Sequence, residues 1–398
     1  MTGQLGERGI VSLSYYQPWV YAGSERYTQL LAEELRQGRQ QAFVYLAEAG
    51  ERASLESHIR QPEFSGLALF RHTEQGLVAE SPVAVRWTEA RGLRLAELLD
   101  RLSPWYIRVH FPVREFIDVL EAPSASGHLV VYDVMDLWEE FVATPWGSDA
   151  DEARLVARAD ALAVVTHPLA QRWSASADPI QVIPNAVDRE FLGQIQRAPE
   201  TLAAQGTPKR VLYMGSMGGS WFDWETLRSV VIGVPECAFV LLGSLDLPPE
   251  EHDPASARRI RALAQVIAKS PNVTFASEVS HDELAPWLRN ADVGIIPFLP
   301  GALIEAVSPL KVFEYLGAGA VVVQSGMPDI EAYPGVRTAQ DAEEFVRLVR
   351  EHGPATMPVP ELEAMAWFVR GNTWEQRVSA LDAMVESVYA QRATPPPA

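Results

Sequence analysis

Cysteine, lysine and long apolar runs are all scarce in this sequence of 398 residues. Cys237 is the single cysteine, which excludes an internal disulfide and a metal site built from cysteines, and we expect it to be a buried packing residue. No apolar run reaches the ~18 residues of a membrane-spanning helix, and residues 1–8 are too polar for a secretory signal. We therefore expect a cytoplasmic protein, with contact at the inner face of the membrane left open.

Positive charge is scarce as well. The chain has 33 lysine and arginine residues against 52 aspartate and glutamate residues, a formal net charge of −19 at pH 7. Such a charge opposes binding to nucleic acid and to anionic lipid, so we expect no nucleic-acid partner. Lysine occurs only at Lys209, Lys269 and Lys311, so a lysine inside a motif is informative.

Residues 291–323 have the pattern strand, loop, helix, strand. Residues 293–298 are an apolar run that breaks at prolines, as in a buried parallel strand, and residues 320–323 form a second such run. The whole chain has 398 residues, of which 47% are hydrophobic, and this is enough for two domains, each with its own core. We interpret the stretch as a ligand site of an α/β domain.

The helix inside this stretch has a polar start. Ser308 is a good N-cap residue and Pro309 suits the first helical position, so the amides of Leu310 and Lys311 should point out of the helix start, where anions bind. Glu314 lies on the face of Leu310, about one turn or ~5 Å further along. A nucleoside diphosphate fits both features, because its diphosphate is an anion for the helix start and its ribose carries hydroxyl groups for the Glu314 carboxylate.

This segment resembles the donor-nucleotide site of retaining glycosyltransferases of the GT-B fold, the family-4 group, whose usual pattern is E-F-G-x-x-x-x-E-A-M-A-x-G-x-P-V-V. Glu314 matches the second acid, which the resemblance implies holds the donor ribose. The position of the first acid carries Ala306, with Glu305 one residue earlier. The pattern nPlKlfEYLAaGkPVV, of a subgroup of cell-surface polysaccharide transferases, fits better.

The resemblance implies an architecture. It predicts an α/β protein of two Rossmann-like domains facing an interdomain cleft, with a C-terminal helix that crosses back to the N-terminal domain. Residues 1–194 and 375–392 would form the acceptor domain, and residues 205–374 the donor domain. A second match supports the division, because residues 182–188 resemble the pattern v-I-P-N-G-V-D.

The start of the chain has a βαβ pattern, with strands predicted at residues 9–14 and 41–46. It resembles the family's GG-x-E-R opening, which implies that Gly23 lies over the donor phosphates. A plain Rossmann-like turn is the alternative explanation of Gly23.

Three polar residues follow predicted strands of the N-terminal domain. His110 ends a strand at residues 106–110, and Asp133 and Asp136 follow a strand at residues 129–132, similar to a YDxxDxxxxF signature of the same subgroup. We name His110, Asp133 and Asp136 as candidate catalytic residues, because groups at strand ends can bind sugar hydroxyls. Structural roles at a strand end, a cap or a turn remain the alternatives.

A glycine-rich turn follows a strand predicted at residues 210–215. Gly215, Ser216 and Gly218 would let the backbone approach a diphosphate closely. Common family members carry an arginine and a lysine in this loop, and this chain has neither. Either Lys311 supplies the charge or the donor binds weakly.

The string Asp149-Ala150-Asp151 spells D-x-D, a metal-nucleotide signature of another transferase fold. Here it opens a helix predicted at residues 151–159, and we interpret it as a cap. We expect no metal and no cofactor beyond the nucleotide-sugar substrate. Residues 281–284 resemble a short helix start of the family, for which capping is also a sufficient explanation.

The resemblance implies a metal-independent hexosyltransferase that uses a nucleotide-diphosphate sugar, retains the anomeric configuration and serves surface polysaccharide or glycoconjugate synthesis. The acceptor is left open among a glycan, a lipid-linked molecule and a small molecule, and so is the oligomeric state. Two alternatives remain. One is a nucleotide-sugar epimerase or sugar phosphorylase of the same fold, and the other is a non-catalytic partner subunit, which the missing first acid and the missing arginine–lysine pair favour.

Overall fold

The computed structural model describes residues 8–19, 25–47, 57, 59–85, 93–141, 144–197, 208–249, 251–277 and 279–393. The chain divides into two compact units. The first comprises Met1–Pro184 with Trp374–Ala398, and the second comprises Asn185–Thr373. Asn185, the first residue of the second unit, hydrogen-bonds to Ser308 of the same unit.

The first unit contains an eight-stranded sheet in the described part of the chain, with the order β4-β3-β2-β1-β5-β6-β7-β8. All neighbouring pairs are parallel except β3 with β4. The strands are β1 (Ile10–Tyr16), β2 (Gln41–Ala47), β3 (Leu67–Thr73), β4 (Gly76–Ala79), β5 (Tyr106–Val109), β6 (Val130–Val134), β7 (Ala161–Val164) and β8 (Ile180–Val182).

Helices follow most of these strands, as in a Rossmann-like unit. They are α1 (Arg26–Arg36), α2 (Pro82–Val85), α3 (Leu95–Leu102), α4 (Arg114–Leu120), α5 (Asp149–Arg158) and α6 (His167–Trp173). The central strands are buried along their length, because parallel sheets are covered on both faces, and this accounts for their uninterrupted apolar sequences.

The second unit contains a six-stranded, all-parallel sheet in its described residues, with the order β11-β10-β9-β12-β13-β14. Its strands are β9 (Arg210–Met214), β10 (Ala238–Leu242), β11 (Val273–Ala276), β12 (Val293–Ile296), β13 (Val321–Gln324) and β14 (Val336–Thr338). Its helices are α7 (Arg189–Ile195), α8 (Trp224–Gly233), α9 (Pro254–Ala268), α10 (Ala285–Asn290), α11 (Ala302–Glu305), α12 (Leu310–Gly317), α13 (Ala342–Glu351) and α14 (Val359–Arg370). The closing helix α15 (Trp374–Ala393) belongs to the first unit.

Some local predictions were wrong. The sequence pattern near residues 83–87 indicates a strand, but α2 covers Pro82–Val85. The β3–β4 hairpin and helix α14 were not predicted. Helix α14 begins at Val359 inside a proline-rich segment, because proline is tolerated in the first turn of a helix. Cys237 is buried in the core of the second unit, as predicted.

No helix in the described ranges is long and apolar enough to cross a membrane.

Candidate functional site

Helix α12 is held against its sheet by Tyr315. A Cβ on Gly294 of β12 would lie 2.3 Å from the Tyr315 ring, so only glycine allows this close approach of helix and strand. The Tyr315 hydroxyl accepts a hydrogen bond from the Met214 amide at the end of β9, at 3.0 Å. These contacts fix the start of α12 beside the carboxyl ends of β9 and β12.

The start of α12 differs by one residue from the prediction. The helix begins at Leu310, with Pro309 at the N-cap position, and no side chain of the described residues caps it. The predicted N-cap, Ser308, instead accepts the Asn185 amide on its hydroxyl at 3.1 Å, and its carbonyl accepts Asn185 Nδ2 at 2.6 Å. The amides of Leu310 and Lys311 therefore lack a capping side chain, which suits an anion at this position.

Glu314 lies one turn along α12 and is 8% exposed. Its spacing of three residues from Lys311 also predicts an exposed salt bridge as an alternative role. Its hydrogen-bonding partner is instead His281, whose Nε2 lies 3.1 Å from Glu314 Oε1. His281 stacks on Phe191, with ring centroids 4.0 Å apart. The sequence carries no signal for this pair beyond the helix start predicted at residues 281–284, where the Ser280 amide and hydroxyl both donate to the Glu283 carboxylate.

The Lys311 side chain extends toward Gly215. A Cβ on Gly215 would lie 2.8 Å from Lys311 Nζ. The ammonium group also lies over the Tyr213 and Phe298 rings, 4.8 and 5.2 Å from their centroids, in cation–π geometry. Burial lowers the pKa of Lys311 to about 8, although the charge of Glu314 opposes the shift. A half-buried cation with no hydrogen-bonded carboxylate among the described residues is suited to an incoming anion.

In the glycine-rich turn after β9, backbone conformation and close packing within the protein require glycine. Gly215 has a φ of 123°. A Cβ on Gly218 would lie 1.4 Å from the carbonyl oxygen of Asp246, so close backbone packing requires glycine there. The Gly218 amide donates to Ser216 Oγ at 3.3 Å, and His252 Nε2 lies 2.6 Å from the Gly218 carbonyl. The structure therefore places Gly215 beside Lys311, while the polar backbone atoms of Gly218 already have partners.

In the first unit, His110 and Asp133 are both fully buried at the carboxyl ends of β5 and β6. Asp133 accepts hydrogen bonds from Arg26 Nε at 2.9 and 3.0 Å, and His110 Nδ1 lies 3.3 Å from its Oδ2. Burial raises the pKa of Asp133, but Arg26 and then His110 outweigh it and hold that pKa at about 2. Burial lowers the pKa of His110 to about 4 despite the nearby carboxylate. These two candidates thus lie beneath the sheet edge rather than on its surface.

Asp136, two residues after β6, differs from His110 and Asp133 in its burial and in its contacts. It is half-buried, and no hydrogen bond or ion pair connects it to any described residue. Burial raises the pKa of its carboxyl to about 7, with no neighbouring charge to offset the shift. Of the three acidic or basic candidates in this unit, Asp136 is the one whose side chain reaches solvent.

Four aromatic side chains surround the carboxyl edge of the same sheet, and nothing in the sequence indicated that they lie together. Tyr15 is the last residue but one of β1, Phe111 follows β5, and Trp138 and Trp146 follow β6. The Trp146 ring lies 5.1 Å from both Phe111 and Trp138 and 5.7 Å from Tyr15, between centroids. These residues are far apart in sequence, and parallel strands bring them together because their carboxyl ends share one edge.

The D-x-D string caps a helix, as predicted. Ser148 Oγ accepts the Asp151 amide, the Asp151 carboxylate accepts from Ser148, and Arg114 contacts the same carboxylate at 3.0 Å. Helix α5 begins at Asp149, two residues before the predicted start. Within the described ranges, no group of three histidine, cysteine, aspartate or glutamate residues is placed to hold a metal ion.

Gly23, which the resemblance placed over the donor phosphates, lies outside the described residues. The other donor candidates all lie in the second unit, where Lys311 Nζ lies beside Gly215 and Glu314 lies one turn along the same helix. His110 and Asp133 are brought together in the first unit, with Asp136 three residues further along the chain.

No family model matches the chain. A putative teichuronic acid biosynthesis glycosyltransferase, TuaH, from Bacillus subtilis is 25% identical over 264 residues, which are 59% of this chain and 60% of that protein. The chain thus spans less than two thirds of this curated relative.

Solved structures match over nearly the whole chain. A glycosyltransferase from Rickettsia africae has a TM-score of 0.64 at 12% identity, with 96% of this chain and 99% of that chain covered. Alr3699/HepE from Anabaena, solved in complex with UDP and glucose, has a TM-score of 0.56 at 11% identity, with 97% and 98% covered. The chain has the α/β fold of GT-B glycosyltransferases, so the predicted fold class is confirmed.

Proposed function

We propose that the protein is a glycosyltransferase that moves a sugar from a nucleoside-diphosphate sugar to an acceptor in surface polysaccharide or glycoconjugate synthesis. The observation that carries the proposal is the geometry of helix α12. Its start has no capping side chain among the described residues, Lys311 Nζ lies beside Gly215, and the buried Glu314 lies one turn further along. The likeness to TuaH supports the polysaccharide context.

In this proposal the second unit binds the donor. The amides of Leu310 and Lys311 and the Lys311 ammonium bind the diphosphate, where negative charge develops as the sugar leaves. Glu314 accepts hydrogen bonds from the ribose hydroxyls. The complex of HepE with UDP and glucose is consistent with a uridine nucleotide donor, and our proposal is restricted to a nucleoside-diphosphate sugar.

The first unit binds the acceptor in this proposal. Asp136 is the carboxyl group that we assign to orienting the acceptor hydroxyl, because it reaches solvent and has no partner among the described residues. His110 and Asp133, which are buried with Arg26, would stabilise the carboxyl edge of the sheet in the first unit. The leaving phosphate would take the acceptor proton, in a same-face mechanism that retains configuration and uses no metal. We place the reaction in the cytoplasm, on an acceptor that is a glycan, a lipid-linked sugar or a small molecule.

One observation favours a second candidate, a non-catalytic partner subunit. The position of the first acid of the family pattern carries Ala306, which is 2% exposed, so no carboxylate occupies that position. The glycine-rich turn, residues 215–219, contains no cation. Lys311 supplies one cation to this turn, which is why we prefer the enzyme.

Two measurements test the proposal. A thermal-shift panel of nucleoside diphosphates and their sugars should raise the melting temperature with one of them, because a bound donor stabilises the folded state by mass action. Incubation of that donor with candidate acceptors should then give a glycosylated product. Stabilisation without a product from any acceptor would favour the partner subunit, and an isomerised or phosphorylated sugar would favour an epimerase or phosphorylase. No stabilisation by any nucleotide would contradict the donor site.

A further inference from the structure

His281 contacts the carboxylate on which the proposed donor site depends, although the sequence indicated only a helix start for it. Its Nε2 lies 3.1 Å from Glu314 Oε1, across 33 residues of sequence. The two side chains are 20% and 10% exposed, so the pair is largely shielded from water. A hydrogen bond in such a setting is stronger and better defined than one in bulk solvent.

The imidazole is itself held from two sides. Phe191 of α7, a member of the core of the second unit, stacks on it at 4.0 Å with an interplanar angle of 37°. The turn that carries His281 is closed by Ser280, whose amide and hydroxyl both bond to the Glu283 carboxylate, at 3.0 and 2.8 Å. The ring position is therefore set by the fold before any ligand binds.

We propose that His281 is a positioning residue that donates its Nε2 hydrogen to Glu314 Oε1 and so directs Glu314 Oε2 toward the ribose hydroxyls of a nucleoside diphosphate. This inference rests on the proposed donor role of Glu314. A glutamate side chain has three rotatable bonds, and fixing it on binding costs affinity. Holding one oxygen in advance removes much of that cost and leaves Oε2 free to accept from the ribose.

The test compares His281→Ala, His281→Gln, Glu314→Ala and the double variant in the full chain. Glutamine can place an amide nitrogen near the position of Nε2, so His281→Gln keeps the donor and His281→Ala removes it. Calorimetry with UDP, GDP and ADP identifies the nucleotide that the parent binds most tightly. The same nucleotide in its 2′,3′-dideoxy form then reports binding without the ribose hydroxyls.

We expect His281→Ala to weaken binding of the ribonucleotide about tenfold and to leave binding of the dideoxy form unchanged. His281→Gln should stay within about threefold of the parent. In the Glu314→Ala background, His281→Ala should have no further effect, because the histidine acts only through that carboxylate. If His281→Ala does not fold, His281→Phe removes the donor and keeps the ring on Phe191, and it should give the same result.

Two results would overturn the inference and leave the proposed function standing. One is an equal loss for both nucleotide forms, and the other is unchanged binding in His281→Ala while Glu314→Ala still discriminates between them. If Glu314→Ala does not discriminate, or if no nucleoside diphosphate binds the parent, the donor role of Glu314 fails together with the inference.

Discussion

Lys311 Nζ occupies the space in front of Gly215, where a Cβ would lie 2.8 Å from it. The lysine comes from the first turn of α12 and the glycine from the end of β9. In this protein one cation from a neighbouring element thus reaches the turn that lacks its own arginine and lysine. In the proposed donor site, the turn and the helix start therefore bind the same diphosphate.

Gly215→Ala should damage this arrangement. The new Cβ would contact Lys311 Nζ, and alanine at a φ of 123° is strained by about 1 to 3 kcal/mol. We expect a loss of about that size in the free energy of unfolding, measured in urea, and weaker nucleoside-diphosphate binding by calorimetry. Gly193→Ala is the matched control, because a Cβ there meets nothing within 4 Å and α7 should tolerate it. Parent-like nucleotide binding in Gly215→Ala would count against a shared anion site.

Nucleoside-diphosphate binding should depend on pH through Lys311. Its pKa lies near 8 in the folded protein, so raising the pH from 7 to 9.5 removes the cation that faces the diphosphate. We expect affinity to fall about tenfold over this range in the parent. Lys311→Met should bind more weakly at pH 7 and show little change with pH, and a parallel pH dependence in both proteins would contradict the assignment.

The same pKa has a consequence for stability. Because the unfolded chain keeps the Lys311 proton up to about pH 10.5 and the folded protein loses it near pH 8, the unfolded state binds more protons in this interval. The contribution of Lys311 to the free energy of unfolding should therefore rise with pH between 8 and 10.5. The difference between parent and Lys311→Met in urea denaturation should shift in that direction.

Asp133 and Asp136 should behave oppositely on substitution. Asp133→Asn leaves the buried Arg26 charge without its carboxylate, and we expect a loss of about 3 to 5 kcal/mol in the free energy of unfolding. Asp136→Asn removes a carboxyl that burial disfavours, so the fold should be unharmed while turnover falls about 10- to 10³-fold. Urea denaturation and initial rates of both variants provide the comparison. A stable, fully active Asp136→Asn would remove that residue from the acceptor site.

The anomeric configuration of the donor should be retained. An inverting enzyme needs a general base opposite the leaving group, so substitution of one first-unit residue would abolish turnover, whereas retention requires these groups only for orientation. Proton NMR of the first-formed product decides between the two. A product anomer opposite to that of the donor would contradict both the mechanism and the family resemblance.

Transfer should also be insensitive to EDTA. The helix start and Lys311 can neutralise the diphosphate without a divalent cation, and Asp151 of the D-x-D string is already engaged by Ser148 and Arg114. Rates before and after EDTA treatment, and after return of Mg²⁺ or Mn²⁺, measure this directly. A strict metal requirement would be a serious objection to the proposed donor site.

The sequence by itself determined the local elements. Apolar runs predicted the strands β1, β2, β5, β6, β9, β12 and β13. The D-x-D string at residues 149–151 predicted a capped helix, although α5 begins at Asp149 and not at residue 151. The spacing of Lys311 and Glu314 along one helix was also available, because positions three and four apart share a helix face. The hairpin of β3 and β4 was missed because short mixed segments carry weak periodicity.

Only the tertiary structure decided the partners of the polar side chains. His281 meets Glu314 across 33 residues, Arg26 meets Asp133 across 107, and Ser308 bonds to Asn185 instead of capping its own helix. Such pairs leave no periodic trace in the sequence. They form because parallel strands bring distant loops to one sheet edge, where burial favours the pairing of polar groups.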